Sequence, residues 1–464
     1  MTALHDLAAT ELVALYRKRE LSPVEATHAV LNRIAAWESR LCATYALDAE
    51  SALAAARESE MRWLKGEPLG AIDGVPSMIK ENIATRGTPV PVGTAATLLV
   101  PAANDAPPAA RMRESGAVIL GKTTMPDYGM LSSGLSSFHA LTRNPWDLTK
   151  GPGGSSAGAG AGVAAGYGPL HVGTDIGGSL RLPAGWCGIF TLKPSLGRIP
   201  IDPPYAGRAA GPMTRTVADS ALLMSVLAQP DDRDTMSLPA QSIQWSRLER
   251  DVRGLKIGLL LDAGTGLPID PEITAAVQAA ADRFAAAGAH IEPIAPFFTR
   301  AMLDGIDSFW RMRSWLEFSR LPPERRAKVL PFITQWIEGG AALTGEQVFV
   351  GYSQMGAMRD AAVAAHRSFD FVLSPTAPIA AFAAELASPT DDANRPLEHI
   401  CFTVPYNMSE QPAASINCGY TRAGLPIGLQ IAGKRHDDLG VLQMSAAWQA
   451  MRPAPRTWPE PLSS

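Results

Sequence analysis

The stretch Gly173-Thr174-Asp175-Ile176-Gly177-Gly178-Ser179-Leu180-Arg181 constrains this chain more than any other. Two consecutive glycines precede a serine, so the backbone can enter conformations closed to residues with a Cβ and can pass close to another group. A turn of this kind presents a serine hydroxyl and points several backbone N–H groups into one small space. A nucleophile beside fixed donors for a developing oxyanion is what acyl transfer requires. A serine is a weak nucleophile at neutral pH and needs a base. Two upstream stretches supply partners. One is Gly151-Pro152-Gly153-Gly154-Ser155-Ser156-Ala157-Gly158, and the other is Gly74-Val75-Pro76-Ser77-Met78-Ile79-Lys80-Glu81-Asn82. Taken singly, a Gly/Ser-rich loop is a loop and a lysine is a solvated lysine.

Taken together and in this order, the three stretches resemble the amidase signature family. Ser155 and Ser179 stand 24 positions apart, as in that family, and the likeness runs from about Leu69 to Asp219 and resumes near the C-terminus. The resemblance implies one α/β domain over residues 1–464, with a large mixed β-sheet flanked by helices on both sides. It implies Ser179 as nucleophile, Ser155 as a bridging serine that follows a cis peptide, and Lys80 as base. The oxyanion donors would be the backbone N–H groups of Ile176, Gly177, Gly178 and Ser179, with Ser156, Asp175 and Arg181 in support. Asp175 and Arg181 read either as a pair that holds the turn or as two separate surface charges. A lysine acts as a base only when its pKa falls well below about 10.4, which burial achieves. The apolar neighbours Val75, Pro76, Met78 and Ile79 agree with that. The chain departs from the family pattern at Ala157, where glycine is commoner, and at Glu81, where aspartate is commoner. Neither is one of the three catalytic groups.

Composition excludes other classes. A net charge of −4 and pI near 6.1 do not suit a nucleic-acid partner. Cys42, Cys187, Cys401 and Cys418 are far apart, without metal-ligand spacing, and read as free thiols of a reducing cytoplasm. No secretory signal and no apolar run of about 18 residues is present, so a cytoplasmic protein without a membrane span is expected. Asn407-Met408-Ser409 matches a glycosylation pattern by chance. The histidines form no zinc motif, no Gly-x-Ser-x-Gly elbow occurs, and no metal or organic cofactor is expected. Gly116 to Thr123 matches G-x-x-x-x-G-K-[ST] literally, but its middle, Ala117-Val118-Ile119-Leu120, reads as a buried strand rather than a phosphate loop.

The rest of the chain supplies a frame. Ser22-Pro23-Val24-Glu25 is a capping box with proline at the first helical position, and a further helix is expected over about 48–65. Residues 124–152 form a long ordered loop in which Tyr128, Met130, Leu131 and Phe138 either line a substrate pocket or pack; Met130 and Leu131 are the candidates taken forward. The Ala/Gly run after Ala157 suits a tightly packed helix. Residues 202–208 suit a flap, with Arg208 read first as solvated and second as a contact to a substrate carbonyl. Residues 255–294 read as a βαβ unit with parallel pairing. Eight aromatics between Phe297 and Trp336 mark a helical insertion, about 297–345, that divides between core and substrate-selecting wall. The proline-rich tail after Ala450 reads as loose.

The expected function is hydrolysis of a carboxylic amide, a small molecule, through a serine acyl-enzyme. Three alternatives stand beside it: a carbamate (urethane) or ester hydrolase of the same family, the glutamine-hydrolysing subunit of a tRNA-dependent amidotransferase, and an inactive scaffold. The oligomeric state is left open.

Overall fold

A computed structural model describes residues 3–461. Eleven strands join in one mixed sheet: β1 (Thr44–Tyr45), β2 (Pro76–Lys80), β3 (Val118–Thr123), β4 (Leu170–Asp175), β5 (Phe190–Lys193), β6 (Ala209–Thr214), β7 (Lys256–Leu259), β8 (His290–Pro293), β9 (Phe371–Pro375), β10 (Ala413–Tyr420) and β11 (Pro426–Gly433). Their order is β1-β3-β2-β4-β6-β5-β10-β11-β9-β7-β8. Pairing is parallel for β3-β2-β4 and for β9-β7-β8, and antiparallel elsewhere. The βαβ unit is therefore present, with its helix at Pro271–Ala286.

Both faces of the sheet are covered. Along β9, Phe371 and Leu373 pack in one apolar core, with Val277 and Trp448 of the helices Pro271–Ala286 and Asp438–Met451. Val372 between them packs in another, with Leu182, Trp186 and Trp310. Alternation along a strand sends neighbours to opposite faces. The central strands are buried at nearly every position because helices lie over both sides.

Local chemistry sets the helices as expected. Ser22 accepts from the Glu25 N–H at 3.1 Å while Glu25 reaches back to the Ser22 N–H at 2.8 Å, opening the helix Pro23–Leu41. Asp48 caps the helix Ala49–Lys65. The helix Ala157–Ala165 is buried along its whole length. A Cβ at Gly158 would lie 2.1 Å from the Ala43 carbonyl oxygen, so this approach requires glycine. Ala157 stands one residue earlier, where its methyl is accommodated in the core.

The Gly116 to Thr123 match is strand β3 itself. Lys122 is buried, donates to the Ile83 carbonyl and, at 2.8 Å, to Thr85 Oγ1, and burial lowers its pKa to about 7. Only a three-residue helical turn, Asp127–Gly129, follows. With its amine engaged by protein acceptors, Lys122 has no phosphate to hold, and saturating ATP with magnesium is expected to leave the melting temperature unchanged. A saturable upward shift would contradict this reading.

One expectation is corrected: the tail is not loose. The Arg215 guanidinium lies 4.5 Å over the Trp458 ring, and Arg33 donates to the Pro459 carbonyl at 2.8 Å, a cation–π contact and a hydrogen bond that fix the segment. The aromatic segment folds as the helices Arg300–Phe318, Pro323–Arg326 and Pro331–Glu338, and its rings serve mainly as core: Phe298, Trp310, Phe318 and Trp336 are buried. Among the described residues, no helix is long and apolar enough to cross a membrane.

Candidate active site

Lys80 ends β2, the strand between β3 and β4, and is fully buried. Its Nζ lies 2.7 Å from Ser155 Oγ and 3.1 Å from Thr174 Oγ1, and Asn82 Nδ2 donates to the same Thr174 oxygen at 3.1 Å. Burial, and next the Arg208 charge, hold the amine well below the ordinary lysine range; the Asp175 and Glu81 carboxylates pull the other way without prevailing. The result is a lysine whose charged form is disfavoured, set against a serine hydroxyl. Glu81 itself turns to other work, receiving the Gly93 N–H and His139 Nε2.

Ser155 follows a cis peptide bond from Gly154. A Cβ on Gly154 would sit 2.6 Å from the Leu131 carbonyl oxygen, so the loop closes only with glycine there. Ser156 stitches this loop to the sheet. Its hydroxyl donates to the Thr174 carbonyl at 3.2 Å, and its N–H donates to the Ser179 carbonyl at 3.2 Å.

The glycine turn leaves the end of β4. Gly178 takes φ +131°, a left-handed value, and a Cβ there would lie 2.6 Å from Thr403 Oγ1. The Asp175 carboxylate folds back over the turn, accepting the Gly178 N–H at 2.8 Å and the Leu180 N–H at 3.1 Å. Arg181 meets it with Nε and Nη2, each at 3.0 Å. The remaining guanidinium hydrogens go to the Thr403 carbonyl, Gln430 Oε1 and Asn407 Oδ1, at 2.8, 2.9 and 2.6 Å. Asn407 closes the ring by donating to Asp175 Oδ1 at 2.9 Å. Asp175 and Arg181 are thus one buried pair, not two surface charges. Burial alone would raise the Asp175 carboxyl, and Arg181 instead brings it well below the usual carboxylate range. Asn407 is 1% exposed, which excludes it as a sugar acceptor.

This ring corrects the set of expected donors. The Gly178 N–H is already bound by Asp175, whereas those of Ile176, Gly177 and Ser179 meet no acceptor among the described residues. It also makes a prediction about stability. Arg181→Ala strands a buried carboxylate and is expected to cost about 3–5 kcal/mol, read as a lowered denaturant midpoint; a midpoint near wild type would contradict the pairing.

A family model for Amidase matches residues 25–442. The chain belongs to the amidase signature family. It is 34% identical over 464 residues to the acylamidase of Rhodococcus erythropolis, covering 97% of this chain and 96% of that one. Against a glutamyl-tRNA(Gln) amidotransferase subunit of Myxococcus xanthus (strain DK1622) it is 33% identical, covering 96% and 97%. Among solved structures, a bacterial aryl acylamidase superposes with a TM-score of 0.89 at 31% identity, over 97% of each chain. A 6-aminohexanoate cyclic dimer hydrolase, solved with its substrate, gives 0.86 at 27% over all of both chains. The chain is accordingly an amidase, an enzyme that hydrolyses amide C–N bonds.

In this amidase, Ser155, Thr174, Ile176 and Ser179 line one cleft of about 540 Å³. Ser179 is half-buried at its floor, and its hydroxyl makes no hydrogen bond with another described residue. The amidase cleft takes its walls from three other places: Val90, Val92, Tyr128 and Met130; the 202–208 segment; and Arg313, Ser314, Glu317, Phe318 and Ile337 of the insertion. Leu131 does not reach it. It is 4% exposed and packs in the apolar core with Leu182 and Trp186, because successive residues of the loop point apart. Phe138 is also absent from the wall and meets Tyr45 edge to face, ring centroids 5.7 Å apart. Arg208 is not solvated as first read: it is half-buried and lines the cleft.

Sequence reasoning missed Asn82, Thr174, Thr403, Asn407, Gln430 and Arg313. Asn82 adjoins the Lys80 motif and Thr174 lies within the glycine stretch, so both were within reach. The others come from distant segments.

Proposed function

We propose that this amidase cleaves a small carboxylic amide through an acyl-enzyme on Ser179, with Lys80 acting as base through Ser155. The observation that carries the reading is the 2.7 Å contact between the buried, deprotonation-prone Lys80 amine and Ser155 Oγ, in the cleft that also holds Ser179. Ser179 Oγ attacks the amide carbonyl carbon. Its proton passes to Ser155, whose own proton passes to Lys80 Nζ. The oxyanion accepts from the unbound N–H groups of Ile176, Gly177 and Ser179, with the Asp175–Arg181 ring holding their turn rigid. As the C–N bond breaks, the proton on Lys80 returns through Ser155 to the leaving nitrogen. Water then attacks the ester, its proton passing through Ser155 to Lys80, and that proton returns to Ser179 Oγ as the ester C–O bond breaks and the acid departs. The steps need no metal or organic cofactor and no nucleic acid.

The walls favour an apolar substrate. Val90, Val92, Met130, Phe318 and Ile337 suit an alkyl or aryl group better than the side chain of free glutamine. The likeness to an acylamidase and to an aryl acylamidase supports the same direction. Carbamates and esters place the same carbonyl before Ser179 and are expected as secondary substrates. The test is a panel of anilides, alkyl amides, carbamates, esters and glutamine with the purified chain. Turnover of anilides by the chain alone is expected. Activity restricted to glutamine and dependent on added subunits would assign the amidotransferase role instead.

A further inference from the structure

A cation with few protein acceptors lines the cleft. Arg208 is half-buried, yet the one hydrogen bond its guanidinium makes is a long 3.5 Å contact to the Pro203 carbonyl. A guanidinium carries five donors, and among the described residues this one leaves most of them open toward the cleft. The neighbouring charges do not relieve it. Arg313, from the helix Arg300–Phe318, repels it, and Asp202 attracts it from beyond ion-pair distance. Arg313 is itself occupied, lying 4.9 Å over the Tyr205 ring and reaching Met130 Sδ at 3.5 Å.

Arg208 shares the cleft with the reacting groups: Ser155, Thr174, Ile176 and Ser179 line it too. β6 runs antiparallel to β4 with Ala210 opposite Thr174 and Ala209 opposite Asp175. The pairing ends there, so Arg208 is the residue that enters β6 as Ile176 is the one that leaves β4, and both line the cleft with Thr174, whose hydroxyl contacts Lys80.

We propose that Arg208 is a specificity-determining and charge-setting residue of this site, donating to an uncharged acceptor oxygen of the bound substrate beside the scissile carbonyl. The inference rests on the assignment of Lys80 as base. The charged groups facing Lys80 are Arg208 before β6, Asp175 at the end of β4 and Glu81 after β2. The two carboxylates favour the ammonium form, and Arg208 is the cation that opposes them. A substrate carboxylate on Arg208 would cancel that charge and raise the proton affinity of Lys80, leaving burial alone to hold it down. A carbonyl, ester or carbamate oxygen satisfies the guanidinium and leaves its field intact. The class selected is therefore neutral amides with a second acceptor oxygen.

The experiment is the pH dependence of kcat/KM and KM for such a neutral anilide and its carboxylate-bearing counterpart, in wild type, Arg208→Gln, Arg208→Lys and Lys80→Ala, with thermal melts to confirm folding. For the neutral substrate, Arg208→Gln is expected to move the acid limb upward by about one pH unit, the scale of charges roughly 10 Å apart at an effective dielectric near 20. KM should rise in the same variant. Arg208→Lys keeps the charge and should keep the limb while raising KM. In wild type, the limb of kcat for the carboxylate substrate should lie above that for the neutral one. A folded Arg208→Gln whose limb and KM match wild type, or coincident limbs for the two substrates in wild type, would overturn the proposal. A limb that survives in Lys80→Ala would instead remove the base assignment, and this inference with it.

Discussion

Ser179→Ala is expected to lower amide turnover by roughly four to six orders of magnitude, the scale seen when a nucleophile is removed from a unit that works together. The fold should not change. Ser179 is half-buried at the cleft floor and its hydroxyl holds no other group, so its removal leaves no buried partner unsatisfied. The turn is set by Asp175, Gly178 and Arg181 rather than by this side chain. Rates by anilide assay and melting temperature, measured on one preparation, check both halves. A variant that folds and retains more than about a hundredth of wild-type turnover would transfer the nucleophile role elsewhere.

Lys80→Ala carries the second large effect, and it should differ between substrates. An amine leaves only when protonated, and Lys80 supplies that proton through Ser155. An aryl ester with a good leaving group needs no such help. Amide hydrolysis should therefore fall by several orders of magnitude and matched ester hydrolysis by markedly less. In wild type, activity should rise with pH through one ionisation below the ordinary lysine value, because Lys80 accepts protons only as the free base. Equal losses on amide and ester, or an unchanged pH profile, would exclude Lys80 from this role. Stability has its own sign. Burial lowers the Lys80 pKa in the folded state, whereas the unfolded chain protonates it up to about 10.4. Between the depressed folded value and that value the unfolded state binds more protons, so this group's contribution to stability rises with pH. Lys80→Met, similar in length and without the amine, should therefore be more stable than wild type near neutral pH. A less stable variant would contradict a lysine whose charged form burial disfavours.

What the sequence revealed of this site was local. Gly177, Gly178 and Ser179 announce a turn because only glycine tolerates its geometry, and the capping box at Ser22 announces a helix start for equally local reasons. The Gly178 donor was miscounted although its acceptor lies three residues away. An aspartate before a glycine turn commonly binds the turn's own N–H groups. Partners brought by the sheet were not legible. Arg181 meets Asn407 and Gln430, 226 and 249 positions later, and nothing near either residue marks it as part of the turn. Asn407 even sits in a pattern that points to the surface. Arg208 belongs to the same case, since a lone arginine in a proline-rich loop is ordinarily solvated, and only the folded chain brings it into one cleft with Thr174 and Ile176. Met130 and Leu131 could not be separated by composition, because both are apolar and only the loop's path decides which one faces the cleft.

The most direct test of the central claim is to trap the acyl-enzyme. Lys80→Ala mixed with an activated aryl ester should acylate, since the leaving group needs no proton, and then deacylate slowly for want of a base to activate water. Intact mass after acid quench should show one acyl group per chain, peptide mapping should place it on Ser179, and Lys80→Ala/Ser179→Ala should show none. An adduct on Ser155 or another residue, or one that persists when Ser179 is replaced, would contradict the account.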